Sequence, residues 1–281
     1  MLWLATCELA AAVSNAGALG IVSPYAGMDE DGDPPANLRL QIRLTRERTA
    51  KPFGVNIPLD LPTSGLLMDV LLDEKAPLVV TAAGSPRIFT ELLHSARIRV
   101  LHVISSVHQA RLAESCGVDA LIAEGFEAAG RLGRDELSLF SLIPQVAEAV
   151  SVPVIAAGGI ADARGMAAAF ALGAEGVQLG TRFVAAQECI AHPNYKRAVL
   201  EAQDTDTLVA HLGPVPARNL KSKFKADSPR GSVGRSRSRK AQIEGDLAHG
   251  DAYAGSSAGL IREILPAAVI VERLTKGCGL A

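Results

Sequence analysis

The stretch "VPVIAAGGIADARGMAAAFALGAEGVQLGTRF", residues 152–183, decides how this chain folds. An apolar run breaks at Gly158-Gly159, an Ala-rich helical segment follows, and a second apolar run stops at Gly180-Thr181. Continuous apolar runs of this length suit parallel strands covered on both faces. Asp162 can cap the helix, and Gly173 ends it. Strand, helix and strand joined by a right-handed crossover form the unit of a doubly wound sheet or a (β/α)8 barrel. Loops after the last two strands of such barrels commonly build a phosphate site, because glycines let backbone N–H groups approach an anion closely. Gly158, Gly159, Gly180 and the Thr181 hydroxyl are therefore phosphate candidates; the alternative is that these glycines only make tight strand exits.

Working outward, similar runs recur upstream: "LGIV" (19–22), "PFGVNI" (52–57), "LVVTA" (78–82), "RVLHVI" (99–104) and "DALIA" (119–123). With 152–157 and 176–180 they make seven strands, whereas a closed barrel needs eight. Residues 5–16 already read as a helix, so the expectation is a TIM-type α/β barrel lacking its first strand, which would precede Met1. Ser106 can cap the helix that ends at Gly117. Ser141 can cap the helix within 138–150, with Pro144 in its tolerated first turn. Beyond Gly180, residues 183–213 read as helical, and the basic "SPRGSVGRSRSRK" (228–240) reads as a linker or lid segment. Residues 256–274 read as a helix packing back on the barrel. The expected organisation is a barrel over 1–185, a lid or insert over 186–250 with a flexible basic stretch at 226–245, and a returning C-terminal helix over 251–281.

Composition narrows the function. The chain has 281 residues, 48% apolar but only 4% aromatic, with 26 glycines, which favours α/β packing of small side chains. A net charge of −2 argues against a nucleic-acid binder. The four cysteines are far apart and read as reduced thiols of a cytoplasmic protein. The apolar N-terminus lacks the basic segment of a signal peptide, and no run reaches membrane-spanning length. No spacing of His, Cys or Asp suggests a metal, and no motif suggests covalent catalysis.

The remaining candidates sit at strand ends. Asn56 ends a buried strand, and its amide can both donate to and accept from a heteroaromatic ring edge; a loop-capping role is the alternative. In "GVDALIAEGFEAAGRLGRDE" (117–136) a buried strand runs into Glu124, Glu127 and Arg131, framed by Gly125 and Gly130. That is either an active-site rim or a solvated loop. Arg131 can bind an anionic substrate but is a poor proton acceptor. Of the histidines only His102 lies near the end of a buried strand; His94, His108, His192, His211 and His249 read as exposed or structural.

"AAVSNAGALGIV", "PFGVNIPL", "GVDALIAEGFEAAG", "VPVIAAGGIAD", "EGVQLGTRFV" and "AHPNYK" together resemble the nitronate monooxygenase family, formerly 2-nitropropane dioxygenases, to whose superfamily the flavin-dependent enoyl-ACP reductases belong. The resemblance implies an FMN-binding TIM barrel acting on a small-molecule substrate. Gly158, Gly159, Gly180 and Thr181 would hold the FMN phosphate, Asn56 and Glu124 would contact the ring or ribityl chain, and Gln178 would face the cofactor. Gly130, on the same rim, would be a further cofactor-binding residue. The family usually carries Gly-Gly-His where this chain has Ala129-Gly130-Arg131, and that histidine is credited with handling the substrate proton. The expected function is oxidation of alkyl nitronates with O2. One alternative is an NAD(P)H-dependent reductase of the enoyl-ACP type; the other is a flavin-binding barrel without turnover. A homodimer is compatible with any of them.

Overall fold

The computed structural model describes residues 1–210, 215–221 and 235–279. Seven parallel strands form one sheet: β1 (Gly20–Val22), β2 (Phe53–Pro58), β3 (Leu78–Ala82), β4 (Arg99–Ile104), β5 (Ala120–Glu124), β7 (Val154–Ala157) and β8 (Gly176–Gln178). They lie in the order β1-β2-β3-β4-β5-β7-β8, leaving β1 and β8 as the two edges among the described residues. The fold is thus a curled, open TIM-like half-barrel, and each strand coincides with one of the apolar runs read from the sequence.

Helix α1 (Cys7–Asn15) precedes β1, and α2 (Pro34–Arg48), α3 (Ser64–Asp73), α4 (Thr90–Ser95), α5 (Val107–Ser115), α6 (Leu139–Ala149) and α7 (Ala163–Ala171) make the crossovers. Strand alternation sorts the side chains into two layers. Val55, Ile57, Val79, Val100, Ile104, Leu121 and Ala123 join the large core under the helices. Val80, Leu101, Ala120, Ile122 and Ala157, with Ile21, Leu78, Val103 and Ile155 against them, form a separate cluster on the concave face. That second cluster fills the barrel interior beneath the strand ends.

Two caps follow the sequence reading. Ser106 accepts from the Gln109 amide, and Asp162 accepts from the amides of Arg164 and Gly165. The third does not. Helix α6 begins at Leu139, so Ser141 lies inside it and Pro144 is an interior residue. The cap comes from a distance instead: the Glu127 carboxylate accepts from the Leu139 amide at 3.0 and 2.9 Å. A carboxylate at a helix N-terminus satisfies an orphan donor and favours the dipole.

The C-terminal part differs more. Residues 183–213 do not form one helix: α8 (Thr181–Val184) and α9 (Pro193–Glu201) are followed by β9 (Thr207–Ala210). With β6 (Gly130–Arg131) and β10 (Ala217–Leu220), β9 builds a three-stranded antiparallel sheet in the order β6-β10-β9. His211 lies outside the described residues. The basic stretch 228–240 is helical from Arg235, in α10 (Arg235–Gln242); its earlier part lies outside the described residues. Helix α10 is anchored because Trp3 Nε1 donates to the buried Ser238 Oγ at 2.9 Å, and Arg237 pairs with the buried Asp251 at 3.1 Å. Residues 256–274 split at Pro266 into a short 3-10 turn and α11 (Ala267–Gly277).

Candidate functional site

The polar residues of the concave face gather at the C-terminal strand ends. Glu124, Ala157 and Gln178 stand in register on β5, β7 and β8. Asn56 pairs in register with Val80, whose side chain belongs to the concave cluster. Asn56 and Gln178 are half-buried and make no side-chain hydrogen bond among the described residues. Two amides without partners at the end of a buried face are available to a ligand.

Burial pushes the Glu124 carboxyl up to about 7, partly offset by the facing Met1 amino group. A carboxyl poised there exchanges protons readily at neutral pH.

The glycine turns flank this face. Gly158 and Gly159 have φ of +99° and +69°, a region in which L side chains are strained. A Cβ at Gly158 would stand 3.0 Å from the Ala128 amide nitrogen and 3.1 Å from the Gly125 carbonyl oxygen. The backbone N–H groups of Gly159, Ile160 and Thr181 have no acceptor among the described residues. Thr181 Oγ1 accepts from the Gly255 amide at 3.0 Å and keeps its own proton to donate. Gly180 lies beside Met1, whose Cγ would be 3.8 Å from an added Cβ. Donors without acceptors at two glycine turns fit a phosphate. The first amides of α7 are already taken by Asp162, so the turn itself and not the helix dipole is the available cradle.

Gly130 and Arg131 lie on β6, at the rim. Arg131 Nη2 meets Asp60 Oδ2 at 2.7 Å, joining the loop after β5 to the loop after β2. Both side chains are partly exposed, at 48% and 35%, so the pair contributes little stability and opens easily.

His102 is not part of this gathering. Leu101 and Val103 face the concave side, so His102 points to the helix layer, where its Nδ1 lies 2.8 Å from Thr81 Oγ1. Thr81 Oγ1 also reaches the Leu101 carbonyl at 3.2 Å, which fits a neutral ring donating from Nδ1 to Thr81. Burial pulls its pKa down to about 4. The folded value lies below the ordinary one, so this group's contribution to stability is lost as pH falls from about 6.5 towards 4. Between pH 7 and pH 5 the loss is about 2 kcal/mol, and His102→Gln should remove it. Urea unfolding at the two pH values checks this; an unchanged pH dependence in the variant would exclude His102 as the source.

Sequence reasoning missed Asp60, the capping role of Glu127, and Tyr253, whose ring lies 3.6–3.7 Å from where a Gly130 Cβ would be. It also missed Arg218, which donates to the Phe126 carbonyl at 3.2 and 2.9 Å and stacks over that ring at 5.3 Å. Each depends on contacts between segments distant in sequence, for which a single sequence carries no local signal.

The family model described as nitronate monooxygenase matches residues 1–66 and 66–277. The chain belongs to the nitronate monooxygenase family. Among curated relatives, nitronate monooxygenase of Paraburkholderia phytofirmans is 34% identical over 336 aligned positions, covering 98% of this chain and 90% of that protein. Among solved structures, FabK from Thermotoga maritima superposes with a TM-score of 0.91 at 43% identity, covering 99% of this chain and 90% of that one. Nitroalkane oxidase from Streptomyces ansochromogenes gives 0.83 at 29% identity, over 98% and 92%. The nitronate monooxygenase family is one of oxidoreductases, and no helix among the described residues is long and apolar enough to cross a membrane.

Proposed function

We propose that this chain is an FMN-dependent oxidoreductase that oxidises alkyl nitronates with O2. The observation that carries the reading is the convergence of acceptor-less amides at two glycine turns with the open side chains of Asn56, Glu124 and Gln178. In this reading Gly158, Gly159, Gly180 and Thr181 hold the phosphate, and Asn56, Glu124 and Gln178 contact the ring and ribityl chain. FMN, when bound, supplies the redox chemistry, and the protein supplies binding and orientation. Arg131 holds the anionic substrate electrostatically and does not act as a base. Nitronates already carry their negative charge, so no proton has to be removed first.

A second reading has a specific observation behind it. Identity to FabK is higher, at 43%, than to the nitronate monooxygenase or nitroalkane oxidase, at 34% and 29%. That favours a reductase of the enoyl-ACP type, taking hydride from NAD(P)H.

The visible spectrum of the purified chain, followed by heat release and identification of the chromophore, tests the cofactor. Stoichiometric FMN is expected; a colourless protein that cannot be reconstituted overturns both readings. Nitronate-dependent O2 uptake then supports the first and NADH oxidation with an enoyl thioester the second, while bound FMN with neither activity marks a barrel without turnover. Arg131→His should raise activity on neutral nitroalkanes by about 100-fold, the usual scale of a positioned base. No gain would mean that proton abstraction is not the missing step.

A further inference from the structure

The loop from Asp251 to Ser256 crosses the rim of the barrel and is tied almost residue by residue. The Asp251 carboxylate accepts from Arg237 Nε and Nη2 at 3.2 and 3.1 Å, and the Ala252 carbonyl accepts from the Leu220 amide at 2.9 Å. The Tyr253 carbonyl accepts from the Tyr195 hydroxyl. The Gly255 amide donates to Thr181 Oγ1 at 3.0 Å, and the Ser256 amide to the Glu127 carbonyl at 2.9 Å. A loop held in this way presents its side chain in one position.

That side chain is the Tyr253 ring, which lies beside Gly130, 3.6–3.7 Å from where a Cβ on that glycine would stand. Tyr253 is half-buried and its hydroxyl makes no hydrogen bond among the described residues, which leaves the O–H open to a ligand. Arg131, the residue after Gly130, lies within electrostatic reach of the phenol. Its ion pair with Asp60 uses Nη2 alone, while a guanidinium carries five N–H donors.

We propose that the Tyr253 hydroxyl and the Arg131 guanidinium are the two donors of one anion seat, which takes the O–N–O end of a nitronate. The proposal rests on the nitronate-oxidising reading. Burial, with the Asp251 carboxylate adding to it, raises the phenol's pKa well above its ordinary value, so it donates and does not serve as a base. Arginine is likewise only a donor. A nitronate brings its charge with it, so the seat binds the ground state and its loss appears in KM and not in kcat.

The test uses the FMN-loaded full chain and compares wild type with Tyr253→Phe. With propyl-2-nitronate the variant's KM should rise about tenfold while kcat stays within about twofold, the scale of one hydrogen bond to a charged group. Nitrate, a planar anion with the same O–N–O geometry, serves as an inert probe. Its dissociation constant, read from the flavin absorbance change, should rise by the same factor at unchanged FMN content. A wild type that oxidises the nitronate, beside a variant with unaltered KM and unaltered nitrate binding, overturns the seat alone. A wild type that holds FMN but neither oxidises the nitronate nor responds to nitrate overturns the parent reading together with the seat.

Discussion

Replacing Glu124 with glutamine should raise the unfolding free energy by about 2–3 kcal/mol at pH 8 and leave it unchanged at pH 4. Burial holds the folded carboxyl at about 7, against an ordinary value of 4.5. For an acid with a raised folded pKa, the folded state binds the extra proton between those values. Stability therefore falls as pH climbs from about 4.5 to 7 and is flat beyond. Glutamine keeps the shape and removes the charge, so the penalty disappears wherever wild type is ionised. The melting temperature at pH 8 should rise by about 5 °C for a chain of this size. Thermal unfolding of the flavin-free protein across pH 4–8 measures it, and parallel curves for the two proteins would mean that Glu124 is as solvated as a surface glutamate.

The same experiment isolates His102. Its depressed pKa makes stability rise with pH between about 4 and 6.5, over nearly the window in which Glu124 makes it fall. In wild type the two slopes largely offset each other. The Glu124→Gln variant uncovers the histidine slope, and His102→Gln uncovers the glutamate slope. The two groups have opposite placements on neighbouring strands: His102 belongs to the helix-side layer and Glu124 to the concave face. A fold can thus carry a costly desolvated carboxyl without an obvious pH signature in the whole protein.

These two residues also mark how far the sequence could be read. The strands were legible because each is a buried apolar run, and 119–123 became β5 nearly residue for residue. What the run could not convey was the face taken by His102, since in a strand covered on both sides both faces look alike. Helix α10 read as a linker because Arg and Ser dominate it, and its anchor, Ser238, is polar; the Trp3 indole that donates to that buried serine comes from the far end of the chain. Strand β6 is two residues long and pairs with β10 through Ala217 and Arg218, so neither strand has enough alternation to register on its own. The glycine turns were the opposite case. At Gly158 and Gly159 a positive φ, with close backbone approach at Gly158, restricts the residue type, so that glycine pair stands out without any knowledge of neighbours. Tyr253 was invisible for the converse reason: nothing near it in sequence says that its ring comes to rest on Gly130.

Gly158→Ala should cost the protein its flavin. At φ +99° an alanine is strained by about 1–2 kcal/mol, and its methyl group would meet the Ala128 amide at 3.0 Å and the Gly125 carbonyl at 3.1 Å. Both contacts are backbone and cannot rotate aside, so the loop 125–130 must move. That loop carries the Glu127 cap on α6 as well as Gly130 under Tyr253. One methyl group therefore disturbs the proposed phosphate turn and the rim together, and FMN affinity should drop by at least about tenfold, equal to about 1.4 kcal/mol. Gly117→Ala is the matched control: its φ is +81°, but an added Cβ there meets nothing within 4 Å. It should lose about 1 kcal/mol of stability to strain and keep its FMN. Fluorescence titration of the apoproteins with FMN separates the outcomes. Equal FMN affinity in both variants would mean that the phosphate does not sit at Gly158, and the cofactor assignment would have to leave the turn between β7 and α7.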